Sequence, residues 1–115
     1  MIAVIFEAFP KDGKWEEYLD VAASLRTELN KIDGFISIER FQSMTNKEKV
    51  LSLSFWEDEQ SVAQWRNLEL HRQAQVNGRS NIFNDYRLRV AHVLRDYSMT
   101  ERREAPADSI NFHKK

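Results

Sequence analysis

Between residues 65 and 90 the chain carries its densest set of groups suited to proton transfer and anion binding: Trp65, His71, Gln75, Arg79 and Tyr86. An imidazole titrates near pH ~6.5, so His71 can accept a proton close to neutrality. Arg79 is a permanent cation with planar donors, able to hold the anion that such a transfer leaves. Trp65 offers an aromatic wall and one N–H donor. Ser61, just upstream, and His92, on the strand that follows, extend the candidate pocket begun by Gln75 and Tyr86. Each residue also has an ordinary reading. Trp65 falls at an apolar helix position where large aromatics usually pack, and His71 could cap or lie on the surface. Arg79 follows Gly78 and could satisfy helix C-terminal carbonyls or pair with Asp85. Tyr86 and His92 could be core residues of a strand.

Other chemistries find less support. The 115 residues contain no cysteine, which removes disulfides, thiolate metal sites and thiol nucleophiles. The histidines at 71, 92 and 113 lack the i, i+4 or H-E-x-x-H spacing of a metal site. Glycine occurs only at 13, 34 and 78, so there is no glycine-rich phosphate loop and no nucleotide cofactor is expected. A formal net charge of -1, with acidic and basic residues interspersed, gives no field that would recruit nucleic acid or an anionic membrane. The apolar start, MIAVIFEAF, lacks a basic leader and is far too short to cross a bilayer. A soluble, cytoplasmic protein is expected. With 42% hydrophobic and 30% charged residues the composition is that of one globular domain.

The elements that must position these groups follow from periodicity. Residues 2–9 are β-branched and aromatic and read as a strand, stopped by Pro10 and Asp12-Gly13. Trp15, Tyr18, Leu19, Ala22, Leu25, Leu29 and Ile32 then recur at three and four, an amphipathic helix ended by Asp33-Gly34. Residues 35–43 and 50–56 read as an antiparallel hairpin joined by a polar turn. Asp58 begins a helix with Val62, Trp65 and Leu68 as its apolar positions, and a second helical piece runs over 69–77. After a turn at Ile82-Phe83 a last strand alternates Tyr86, Leu88, Val90, His92 and Leu94 with Arg87, Arg89, Ala91, Val93 and Arg95. The order is β-α-β-β-α-β, a ferredoxin-like α+β fold with a four-stranded antiparallel sheet. Two helices cover one face of such a sheet. The opposite face is apolar enough that a homodimer, sheet against sheet, is expected. Residues 1–97 form the domain, and 98–115 a polar tail that either frays or crosses to a dimer partner.

The run FWEDEQSVAQW leading into LELHRQAQVNGR and then FNDYRLRV resembles the antibiotic biosynthesis monooxygenase (ABM) superfamily. The likeness covers about residues 1–97, and its most specific part is a tryptophan followed by a helix bearing H-x-x-A-Q-x-x-G-R. It implies a dimeric α+β barrel with a pocket between sheet and helices in each subunit. It further implies oxidation of a small aromatic phenol or quinol by O2 without a coenzyme, with Trp65, His71 and Arg79 nearest the chemistry. Haem-degrading relatives pair the tryptophan with a histidine ten residues later and carry an asparagine on the first strand. Here those places hold Gln75 and one of the apolar residues 2–6, so haem is disfavoured. Quinone-forming members carry an asparagine one helical turn before the tryptophan, where this chain has Ser61. The remaining alternatives are a non-catalytic or stress-linked module binding a small ligand in the same pocket, and a haem-binding or haem-degrading relative.

Overall fold

The computed structural model describes residues 1–75 and 82–113, with side chains described over 1–68 and 82–112. The elements run β1 (Ile2–Pro10), α1 (Trp15–Leu29), β2 (Phe35–Gln42), β3 (Val50–Trp56), α2 (Glu59–Gln75), β4 (Phe83–His92) and α3 (Ala107–His113). The four strands form one antiparallel sheet in the order β2-β3-β1-β4. That is the ferredoxin-like arrangement the periodicity predicts. Among the described residues no helix is long and apolar enough to cross a membrane.

Pleating decides which side chains meet the helices, because successive residues of a strand point to opposite faces. On β1 the helix side takes Ile2, Val4, Phe6 and Ala8, and on β3 it takes Val50, Ser52, Ser54 and Trp56. One end of the core packs Ile2, Val4, Leu29, Trp56 and Val62, with Phe35 and Trp65 against them. The other packs Ala8, Tyr18, Val50 and Ile82, with Phe6 and Phe83 against them. On the far side of the sheet Ile5, Leu51, Leu53 and Phe55 are half-buried and Phe41 is 43% exposed, an apolar surface outside both core clusters. Its charged margin is a three-residue ion cluster in which Glu7 pairs with Lys49 and with Arg89.

Three local features differ from expectation. Residues 59–75 form one continuous helix rather than two pieces, since neither glycine nor proline interrupts the stretch. β4 starts at Phe83 instead of after it: the Lys11 N–H donates to the Ile82 carbonyl at 2.7 Å and Phe83 pairs with Pro10 across a bulge. The strand ends at His92, leaving Leu94 79% exposed. Beyond Tyr97 the described chain forms a turn and a short helix. Arg102 sits 5.3 Å above the Tyr97 ring and donates to the Ser98 carbonyl and the Ser109 hydroxyl at 3.0 and 2.6 Å. This braced turn leads into α3, whose Ile110 and Phe112 remain exposed. A radius of gyration of 17.1 Å, against about 13 Å for a compact chain of this size, records an elongated molecule.

Candidate active site

A cavity of about 100 Å³ lies between the sheet and α1. The sheet contributes Val4, Phe6, Ile38, Arg40, Ser52, Ser54, Phe83 and Leu88, and α1 contributes Tyr18, Val21, Ala22 and Leu25. Ile82 closes one end and Trp65 of α2 another. Aromatic contacts stiffen the wall: Phe6 meets Phe83 edge-on at 5.7 Å, and Phe83 meets Tyr18 at 5.6 Å. The lining is apolar with a polar strip along β2 and β3. Register sets that strip, because Arg40 pairs with Ser52 and Ile38 with Ser54. Directly opposed residues of an antiparallel pair hold their Cβ atoms about 5 Å apart. Ser54 already accepts the indole N–H of Trp56 at 2.9 Å. Arg40 does not have its needs met: among the described residues its Nε is the one buried side-chain polar atom without a hydrogen-bond partner. A buried donor left unmade costs about 1–3 kcal/mol.

The sequence candidates separate in space. Trp65 lines the cavity and also packs on the core, so its two readings coincide in one side chain. Tyr86 is 60% exposed and backs the wall instead of lining it, its ring 5.5 Å from Phe6 and 6.0 Å from Phe83. His92 is an exposed residue opposite Ile2 at the end of β4 and does not line the cavity. Ser61 is buried outside the cavity lining. Its N–H donates to Asp58 Oδ1 at 2.9 Å, and its hydroxyl lies 2.8 Å from both the Asp33 carbonyl and Asp58 Oδ1. These bonds cap α2 and hold the Asp58 carboxyl below its ordinary range, the Ser61 N–H acting most strongly and its hydroxyl next. Gly34, at φ +90°, packs so closely on Ser61 that a Cβ there would stand 2.1 Å from the hydroxyl oxygen. Ser61 therefore clasps the turn between α1 and β2 to the start of α2, one helical turn before Trp65. His71 and Gln75 lie on α2, but their side chains fall outside the described residues, and Arg79 lies outside them altogether.

Sequence reasoning missed Arg40 and Ser52. The available signal was one long cation in the alternating set Ile36, Ile38, Arg40, Gln42, the set that turned out to face the helices at Ile38 and Arg40.

Among the described residues that line the cavity there is no imidazole, thiolate or thioether that could ligate iron; the side chains of His71 and Gln75 lie outside the described residues. No group of three or more His, Asp or Glu side chains suited to a metal ion occurs among the described residues.

Residues 1–77 match the sequence profile of the antibiotic biosynthesis monooxygenase family. A jasmonate monooxygenase from Pyricularia oryzae is 47% identical over 93 residues, covering 81% of this chain and 43% of that protein. The chain thus spans less than half the length of that relative. Among solved structures, a conserved protein from Methanosarcina mazei Go1 superposes with a TM-score of 0.66 at 23% identity, covering 79% of this chain and 90% of the other. The heme-degrader MhuD from Mycobacterium tuberculosis, with two hemes in its active site, superposes with a TM-score of 0.67 at 15% identity, covering 85% and 100%. At those identities the structures share the fold alone. Profile and relative together establish that the chain belongs to the antibiotic biosynthesis monooxygenase family.

Proposed function

We propose that this protein is a small-molecule monooxygenase that oxidises a compact, apolar, ring-bearing substrate with O2 in the cavity beside Trp65. The observation that carries the reading is a sheltered apolar hollow, walled by Phe6, Phe83, Leu88 and Trp65, in a member of this family. Shelter matters because reactive oxygen intermediates are quenched or diverted by water. Within this reading Trp65 provides the wall, His71 accepts the substrate proton and Arg79 holds the anion. The last two roles rest on residue type and spacing.

Electron balance divides the substrate classes. An electron-rich phenol or quinol supplies all four electrons that O2 needs: one oxygen atom enters as a carbonyl and the other leaves as water, with no coenzyme. Hydroxylation of an unactivated C–H bond, as in a cyclopentanone acid such as jasmonate, consumes two further electrons from an external reductant. The relative's name favours the second class, and the family resemblance favours the first. Product analysis by mass spectrometry distinguishes them: enzyme-dependent quinone from hydroquinones with O2 alone supports the first, and a hydroxylated jasmonate formed only when an external reductant is supplied supports the second. No enzyme-dependent oxygenated product in either arm would overturn the oxygenase reading in favour of a ligand-binding module. Where turnover is found, His71→Ala is expected to lower it at least 100-fold at neutral pH. Equal activity removes histidine from the role.

The same reading includes a homodimer formed through the apolar outer face of the sheet. Five apolar side chains there, at Ile5, Phe41, Leu51, Leu53 and Phe55, support it.

A further inference from the structure

Resting on the oxygenase reading, we infer that Arg40 is the specificity anchor of the cavity, and that the substrate is an apolar molecule ending in a carboxylate. Arg40 lines the hollow from β2, and its Nε is buried without a hydrogen-bond partner. Among the described residues no acidic side chain pairs with it; Glu39, its chain neighbour, points to the opposite face of the sheet. Arg40 is half-buried as a residue, and a guanidinium set even partly into an apolar wall with one donor unmet favours a counter-charge. Its planar fork matches one ligand group best, a carboxylate held by two parallel N–H donors. Ser52, its register partner, is buried beside it on the same wall and supplies a hydroxyl for the second carboxylate oxygen. Apart from Ser54 and the hydroxyl of Tyr18 the rest of the lining is apolar, with Val4, Phe6, Leu25, Ile38, Leu88 and Trp65 among it, which suits a hydrocarbon ring or short chain. One charged end and one greasy end fix the orientation of such a molecule. The acid group sits at the β2 side and presents the far end of the ligand towards Trp65. This placement holds for a phenolic acid and for a cyclopentanone acid alike.

The test uses 4-phenylbutyrate and its methyl ester as probes, with binding followed by calorimetry on the full chain. Wild-type protein is expected to bind the acid at least tenfold more tightly than the ester. Arg40→Met, which keeps the aliphatic stem and removes the charge, is expected to abolish that preference by bringing acid affinity down to that of the ester. Arg40→Lys retains the charge without the fork and is expected to restore part of the preference. Thermal melts of both variants report folding, and ester binding reports an intact cavity in Arg40→Met. Equal affinity of wild type for acid and ester, or an acid preference that survives in Arg40→Met, would overturn the assignment. Product analysis in parallel separates the two levels of the argument. Turnover of substrates without regard to an acid group leaves the oxygenase reading standing and removes the anchor. An Arg40-dependent acid preference without turnover leaves the anchor and removes the oxygenase.

Discussion

Replacing Gly34 with alanine tests how the candidate site is held in place. Gly34 sits at φ +90°, where an L side chain is strained, at a cost of about 1–2 kcal/mol. The new Cβ would also stand 2.1 Å from the Ser61 oxygen and 3.1 Å from its Cβ. The hydroxyl would have to rotate away, giving up its bond to the Asp33 carbonyl, worth about 1 kcal/mol. The sum is about 2–3 kcal/mol, equivalent to a fall in Tm of roughly 8–12 °C for a domain of this size. Urea titration with a tryptophan fluorescence readout measures it. The decisive comparison is the double variant Gly34→Ala, Ser61→Ala. Removing the hydroxyl relieves the closest contact but leaves the strained φ, so the double variant should cost about 1 kcal/mol less than the sum of the singles. Additivity within about 0.5 kcal/mol would refute the clasp, as would a single Gly34→Ala variant within 0.5 kcal/mol of wild type. Because Trp65 follows Ser61 by one turn, the single variant should also reduce acid binding in the cavity.

Acid sensitivity follows from the two carboxyls held below their ordinary range. Hydrogen bonds from Ser61 lower Asp58, and Lys49 followed by Arg89 lowers Glu7. Each stabilises the fold above about pH 4, the ordinary carboxylate value, and that contribution is lost as pH falls through the depressed folded value. Asp58→Asn should therefore flatten the acid limb of a Tm–pH profile; an unchanged limb would remove Asp58 from it. Leu53→Asp places a charge in the middle of the outer sheet face, and sedimentation velocity should then report monomers where wild type gives dimers. A wild-type monomer at micromolar concentration would end the dimer proposal. Titration with haemin is expected to give no protein-dependent Soret shift, and a saturable shift at one or two equivalents would reverse the reading.

Local pattern carried most of the fold. β3 reads directly, because Leu51, Leu53 and Phe55 alternate with Ser52 and Ser54 in a β-branched and aromatic run bounded by polar residues. β2 reads less well. A bulge between Phe35 and Ser37 turns Phe35 onto Trp56, with ring centroids 5.1 Å apart, and leaves Ile36 49% exposed. An inserted residue of that kind has no periodic signature. The site was legible where it coincides with an apolar helix position, as at Trp65, and obscure where tertiary contacts assign the role. Ser61 bonds a carbonyl 28 residues away, a pairing that spacing cannot reveal. Arg40 reads as a surface charge until the sheet order puts β2 beside β3 and its side chain on the wall of the cavity.

A seven-residue helix is too short to persist on its own in water, so α3 owes its order to whatever ties it down. Here the Arg102 guanidinium joins the Tyr97 ring, the Ser98 carbonyl and the Ser109 hydroxyl, while Ala105 tucks in beside them. Other bonds share the task, since the Asp96 N–H donates to Glu104 at 3.0 Å and the Ser98 N–H to the Glu101 carbonyl at 2.8 Å. Arg102→Ala should therefore loosen α3 without releasing the whole turn, read as faster amide exchange over 107–112 than over 96–101.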